Sequence, residues 1–302
     1  MAQILSNQTS RLLGGRALLA VPVPTGTELI ANGNMETGSP PSTWATSGTW
    51  ASATDERTGG SGSKSGLLTN ESAANRTAYQ TVAAVNGAYY LFSGWSKRAV
   101  GTPTPQFDWV MTPRMTINNA VAAWAQKLQV VRATADSAGA VFYCRVGSTT
   151  SGDASAFDDV SLIRLTLASM FSVTVIPYTD AIIKCKATVV AGTRAGVVGW
   201  LDSKTSPANF LMASHDGTNA RLTKCVGGTY TDLISAAATY VAGSYLEIRR
   251  SAGTNTFSLW WNGAKVGADQ TVADTGIISN TLSGYMNTFS GNATTDFSAV
   301  AS

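Results

Sequence analysis

The sequence predicts an all-β protein, two β-sandwich (jelly-roll) domains in tandem behind an extended N-terminal arm. Three observations predict it. The 29 glycines and nine prolines, together with abundant Thr, Ser, Val and Tyr, favour short strands joined by tight turns. No long stretch carries the 3.6-residue apolar period of an amphipathic helix. The apolar pattern also pauses at TLAS (166–169) and then restarts, and 302 residues are enough for two full cores.

Residues 1–26 mix small apolar side chains with Pro and Gly and have no steady period, so they belong to neither sandwich. Two readings stay open. One is a loose terminus. The other is an anchoring strand lying on a partner through Leu12, Leu13, Leu18, Leu19 and Val21, with Arg11 and Arg16 meeting acidic neighbours.

The first domain is expected over residues 27–165. ELIANGNMETG (28–38) and AFDDVSLIRL (156–165) read as its first and last strands, lying side by side. Leu29, Ile30 and Met35 start a buried strand, Asn32-Gly33 turns the chain, and Val160 and Leu162 flank an outward Ser161. That pairing brings Glu36, Asp158 and Asp159 to one end of the sandwich. Carboxylates so gathered suit calcium, which takes several oxygens at once. The alternative is that Glu36 caps a turn while the aspartates face solvent or accept backbone N–H bonds. Residues 52–65 read as a polar surface loop. In Val141–Val146, Phe142, Cys144 and Val146 share one face, and Tyr143 and Arg145 share the other, which is free for recognition.

The second domain is expected over residues 170–302, where FSVTV, AIIKCKATVV, AGVVGW, NFLMAS, ARLTKCV, YLEIRR, TFSLWW, AKVGA and DFSAV alternate with turn residues. Asn262-Gly263 between TFSLWW and AKVGA is a type I′ hairpin signal. Trp260 and Trp261 must point to opposite faces. Alternation with Phe257 and Leu259 puts Trp261 inside and Trp260 on the surface.

Several function classes are excluded on these grounds. A net charge of +3 with no basic stripe argues against nucleic acid. No apolar run is long enough to insert into a membrane, and the start is a poor secretory signal, so synthesis in the cytoplasm is expected. Cys144, Cys185 and Cys225 lack framework spacing and read as packed free thiols, with a Cys185–Cys225 bridge left open. The one histidine, His215, falls in SHDGTN and reads as a surface turn residue without catalytic partners. No strand presents closely spaced carboxylates, so the sequence predicts no enzyme.

What remains is aromatic supply, eight tryptophans and nine tyrosines. Flat rings pack against the C–H faces of sugars while Arg, Gln, Asn and Asp serve the hydroxyls. The predicted carbohydrate-binding residues are Trp50, in a polar loop, and Trp109, beside Gln106 and Asp108, with Gln80, Tyr143, Arg145 and Trp260. Trp44, Tyr79 and Trp95 are further aromatic candidates, most of them expected in the core.

NGNME, SGSKSGLL (61–68), AYQTVAAVNGAYYLFSGWSK (78–97), WAQKLQVVRATA (124–135) and AFDDVSLIRL together resemble the galactose-binding-like carbohydrate-binding modules of the fourth and ninth families and their relatives. The resemblance covers about 28–164. It implies a structural calcium at Glu36, Asp158 and Asp159, and structural roles for Trp95 and Trp124. From residue 171 on, ARLTKCVGGTYTDL, AGSYLEIRRSAGTNTFSLWWNGAKVG and DFSAV resemble concanavalin A-like or laminin G-like jelly rolls, without the ExDxxE strand of their catalytic relatives. The combination implies a non-catalytic, carbohydrate-binding-like protein on a bacteriophage virion surface, as decoration, fibre or tail component. Its expected partners are other virion proteins through the arm, cell-surface glycan, and further copies of itself. The alternative is an accessory module or fragment of a secreted polysaccharide-degrading glycoside hydrolase.

Overall fold

The computed structural model describes residues 19–54, 57 and 59–302. The chain divides into two compact units, Gly26–Arg164 and Leu165–Ser302, and residues 19–25 belong with the second. Leu12, Leu13, Leu18, Arg11 and Arg16 lie outside the described residues. The described end of the arm is not separate from both sandwiches, as the sequence suggested. Leu19 packs against the second core, and the buried Asn287 amide donates to Pro22 O at 3.1 Å. Among the described residues no helix is long and apolar enough to cross a membrane.

The first unit contains β1 (Gly26–Glu28), β2 (Ala45–Thr46), β3 (Thr49–Ala53), β4 (Ser65–Thr69), β5 (Thr77–Thr81), β6 (Tyr89–Val100), β7 (Gln106–Val110), β8 (Met115–Asn118), β9 (Ala125–Arg132), β10 (Val141–Arg145) and β11 (Ala154–Leu165). They form two antiparallel sheets: β3-β4-β11-β6-β9 with β1 added to β11, and β2-β5-β10-β7-β8. The opening and closing segments do lie side by side. Leu29 N–H donates to Leu162 O at 3.0 Å and Leu162 N–H to Glu28 Oε1 at 2.9 Å. Val160 and Leu162 are buried and Ser161 half-buried, as alternation requires.

The strand is shorter than the sequence suggested. After Glu28 the chain turns, because the Asn32 side chain donates to Thr37 O and accepts from Thr37 N, satisfying locally what a ladder would otherwise satisfy. Ile30 and Met35 are still buried, but from a turn, and Met35 takes φ 59°. The expected loop 52–65 is shorter too, since Ser52 and Ala53 end β3 and Ser65 opens β4.

The second unit contains β12 (Phe171–Val175), β13 (Ala181–Thr188), β14 (Ala195–Leu201), β15 (Phe210–His215), β16 (Asn219–Val226), β17 (Thr229–Ala237), β18 (Ser244–Arg250), β19 (Thr256–Trp261), β20 (Ala264–Thr271), β21 (Leu282–Asn287) and β22 (Ala293–Ala301), with a 3₁₀ turn at Leu167–Met170 and a short helix at Thr275–Ile278. Its sheets run β12-β21-β14-β15-β16-β17 and β20-β19-β18-β13-β22. The β19–β20 hairpin pairs Trp261 with Ala264 across Asn262 (φ 49°) and Gly263 (φ 78°), the expected type I′ turn. Trp261 is core and Trp260 lies on the outer face.

The packed thiols expected in this unit are present, and one expectation, for His215, fails. Cys185 and Cys225 are buried thiols, with Cys225 Sγ donating to Ala208 O, and the bridge left open between them is not formed. The two occupy different sheets, Cys185 in β13 and Cys225 in β16. His215 is fully buried rather than exposed, because it closes β15 just before the turn and stacks on Trp261 at 4.4 Å and beside Tyr240 at 5.3 Å. Its Nδ1 accepts Gly217 N–H, so Nε2 carries the proton and donates to Ala238 O. Burial lowers its pKa, only partly opposed by the Ala238 carbonyl and Asp216.

Candidate functional site

The open face of the sheet β2-β5-β10-β7-β8 gathers polar and aromatic groups in two rows. Strand pairing sets Tyr143 opposite Tyr79 on one side and Asp108 on the other, with Asp108 in turn opposite Thr116. One step along, Arg145 is opposite Thr77 and Gln106, and Gln106 is opposite Asn118. Residues paired directly across antiparallel strands share a face, so both rows point away from the core.

The contacts agree with that register. The Tyr79 and Tyr143 rings are 5.7 Å apart, and the Arg145 guanidinium sits 4.2 Å from the Tyr143 centroid. Asp108 is fully buried beneath them. It accepts from Arg114 Nε at 2.7 Å and from a second Arg114 nitrogen, from Arg145 Nε at 3.0 Å and from Thr116 Oγ1 at 3.2 Å. Burial alone would raise the Asp108 pKa. The Arg114 hydrogen bond, the charges of Arg145 and Arg114 and the Thr116 hydroxyl together hold it below the ordinary value. The carboxylate therefore stays charged at neutral pH and orients both arginines. At one end of the face, Asn75, Thr104, Gln106, Asn118 and the turn Gly147–Thr149 line a polar hollow of about 450 Å³, and Gln106 Nε2 donates to Asn118 Oδ1 at 2.8 Å.

Tyr143 and Arg145 are thus where the sequence placed them, and Tyr79 joins them. Trp50 and Trp109 are not. Trp50 lies in β3 rather than a loop, and its ring fills the space over Gly66, where an added Cβ would come within 2.0 Å of it. Trp109 has no exposed surface and donates Nε1–H to Val82 O, 4.8 Å from the Tyr90 ring. Neither can offer a ring face to a ligand. In β7 the alternation puts Phe107 and Trp109 inward and Gln106 and Asp108 outward, so this segment serves the surface through its polar residues.

Gln80 is opposite the core residue Phe142, and its amide is bonded both ways to Ala31, which ties a loop to the sheet. Trp95, in β6, and Trp124, just before β9, are half-buried and covered by Arg57 and Lys97 at 4.2 and 5.2 Å. Asp108 and Gln106 were missed as site residues although the parity of QFDWV could have found them.

The expected metal ligands lie beside Arg57 and residues 60–64 but each is held by its own partner. Glu36 Oε1 accepts Lys64 N–H at 2.7 Å, Asp158 Oδ1 accepts Asp159 N–H at 2.8 Å, and Asp159 is ion-paired to Arg57 and takes the Ser61 hydroxyl. A guanidinium on Asp159 opposes a cation there, and among the described residues no three His, Cys, Asp or Glu side chains are grouped to hold a metal ion. The described donor set does not fit calcium; Asp55 and Glu56 in the same loop lie outside the described residues.

In the second unit, Trp260 is on the outer face as expected, but Arg249 covers its ring at 3.8 Å and its Nε1 is tied to Ser258 Oγ. Trp260 therefore positions an arginine instead of presenting a bare platform.

No protein-family model and no curated protein matches the chain. Among solved structures it is similar to a family 16 carbohydrate-binding module, at 17% identity over 45% of this chain and 99% of that one, with a TM-score of 0.36. It is also similar to the tandem CBM22-1–CBM22-2 domain of Paenibacillus barcinonensis Xyn10C, at 11% identity over 94% and 99% of the two chains and a TM-score of 0.37. A third is the enzymatically active domain of tailspike protein 4 from bacteriophage CBA120, at 18% identity over 46% of this chain and 21% of that one, with a TM-score of 0.37.

Proposed function

We propose that the chain is a non-catalytic glycan-binding protein of a phage virion surface, a decoration, fibre or tail component, held to other virion proteins through residues 1–26 and acting in many copies. The observation that carries the glycan reading is the half-buried, outward-facing Tyr79–Tyr143 pair with Arg145 over the Tyr143 ring and Arg114 nearby, both arginines fixed by one buried carboxylate. Ring faces take the C–H surface of a pyranose, and guanidinium, Gln106 and Asn118 groups serve its hydroxyls. Because Asp108 holds the arginines in place beforehand, little side-chain freedom is lost on binding. Weak single sites gain strength from repetition on an assembly. Three buried thiols with no bridge fit folding in a reducing cytoplasm, which supports a particle component over a secreted enzyme fragment.

The test is affinity electrophoresis and glycan-array binding of the full chain and of Tyr143→Ala. Wild type is retained by at least one glycan, and the variant binds it about tenfold more weakly, equivalent to roughly 1.4 kcal/mol. Failure of the wild type to bind any glycan, or undiminished binding by the variant, overturns the assignment of this face. Release of reducing sugar would replace the reading with the glycoside hydrolase alternative. Virion placement is tested separately by locating the chain in purified particles.

A further inference from the structure

The geometry points to a second, independent ligand site on the outer face of the sheet β20-β19-β18-β13-β22, selective for a carboxylate-bearing sugar such as a uronate. A hollow of about 410 Å³ opens there, lined by Lys184, Tyr245, Glu247, Arg249, Asp296 and Ser298. That volume is within the range of small-ligand pockets. Register builds its floor: Ser298 is opposite Lys184, Lys184 opposite Glu247, and Glu247 opposite Trp260.

The charge pattern selects the ligand. Lys186 pairs with Asp296 at 2.8 Å, Arg249 with Glu247 at 2.8 Å and Lys265 with Asp269 at 2.8 Å. Lys184, facing the same way, makes no ion pair among the described residues, and its Nζ lies 4.9 Å from the Tyr245 centroid. Four cations against three carboxylates leave one positive charge, at the hollow itself. A bulge in β22 contributes. There the pairing slips between Lys184 and Lys186, and Asp296 (φ 54°) turns onto the face, where it engages Lys186 and not Lys184.

A carboxylate set against Lys184 would complete the charge balance beside an aromatic edge, with Ser298 and Glu247 placed for sugar hydroxyls. Arg249, clamped between Glu247 and the Trp260 ring, presents a fixed guanidinium at the rim.

The experiment compares full-length protein on polygalacturonate and on neutral galactan, in low and high salt. Expected is retention on polygalacturonate that weakens with salt and falls about tenfold in Lys184→Gln, while Tyr143→Ala retains it. Loss in Tyr143→Ala with Lys184→Gln unaffected would assign the acidic ligand to the first sandwich and overturn this site. Equal retention on both polymers, or none on polygalacturonate, also overturns it. Melting curves confirm that both variants are folded, and because the two faces lie on different sandwiches, failure of one assignment leaves the other standing.

Discussion

The two outward-facing sheets use the same residue types in opposite arrangements. On the first sandwich one fully buried carboxylate holds two arginines, and one of them, Arg145, lies over the Tyr143 ring. On the second the carboxylates lie in the face itself, the rings of Tyr245 and Trp260 are covered by lysines and an arginine, and the surplus is one positive charge. The number of cations each acid holds makes the difference, two at Asp108 and one at Glu247. A buried anion must be matched by a cation drawn onto it, and on each face that arginine also lies over a ring, Arg145 over Tyr143 and Arg249 over Trp260.

The strongest way to break this comparison is to remove the buried acid. Asp108→Ala leaves Arg114 and Arg145 without their anchor and is expected to cost about 3 kcal/mol of stability, read by denaturant unfolding. Glu247→Ala, at a buried side chain that holds one arginine instead of two, should cost about 2 kcal/mol. Equal costs would mean that the second arginine on Asp108 does not distinguish the two faces. Next in size is the tenfold loss of glycan retention in Tyr143→Ala, which should leave the melting midpoint almost unchanged.

Acid separates the sandwiches in a different way. The folded-state pKa of His215 lies below its unfolded value of 6.5, so the stability it contributes is full above that value and declines as pH falls below it. Protonation at Nδ1 also forfeits the Gly217 hydrogen bond. The midpoint should begin to drop as pH falls below about 6.5, and His215→Gln should flatten that part of the profile. Asp108 is depressed below 3.8 and contributes only to losses in more acidic solution. A profile unchanged by His215→Gln would mean that the imidazole tolerates its charge. The smallest effect concerns calcium. With Asp159 on Arg57, a chelator is expected to leave the midpoint where it is, and a fall of several degrees would restore the expected ion at Glu36, Asp158 and Asp159.

Much of the fold was legible in the residues. Asn262-Gly263 specified its turn, Trp260 and Trp261 their faces, and the segments near Glu28 and Val160 their pairing, because each depends on period-2 alternation or on the φ a residue tolerates. The site was legible only in part. Tyr143 and Arg145 follow from VFYCRV, but Trp50 and Trp109 were assigned by residue type, and a tryptophan fills a core as readily as it floors a binding site.

What the sequence by itself determined is therefore the set of strands, their turns and the parity of each side chain, all consequences of local backbone geometry. Tertiary structure alone decided which outward residues meet: that Asp108 lies beneath Tyr143 with Arg114 and Arg145, that Arg57 takes Asp159, that His215 is enclosed by Trp261 and Tyr240, and that residues 19–25 join the second sandwich. Those meetings depend on strand order across a sheet and on burial, which set the cost of a charge and are properties of distant segments brought together.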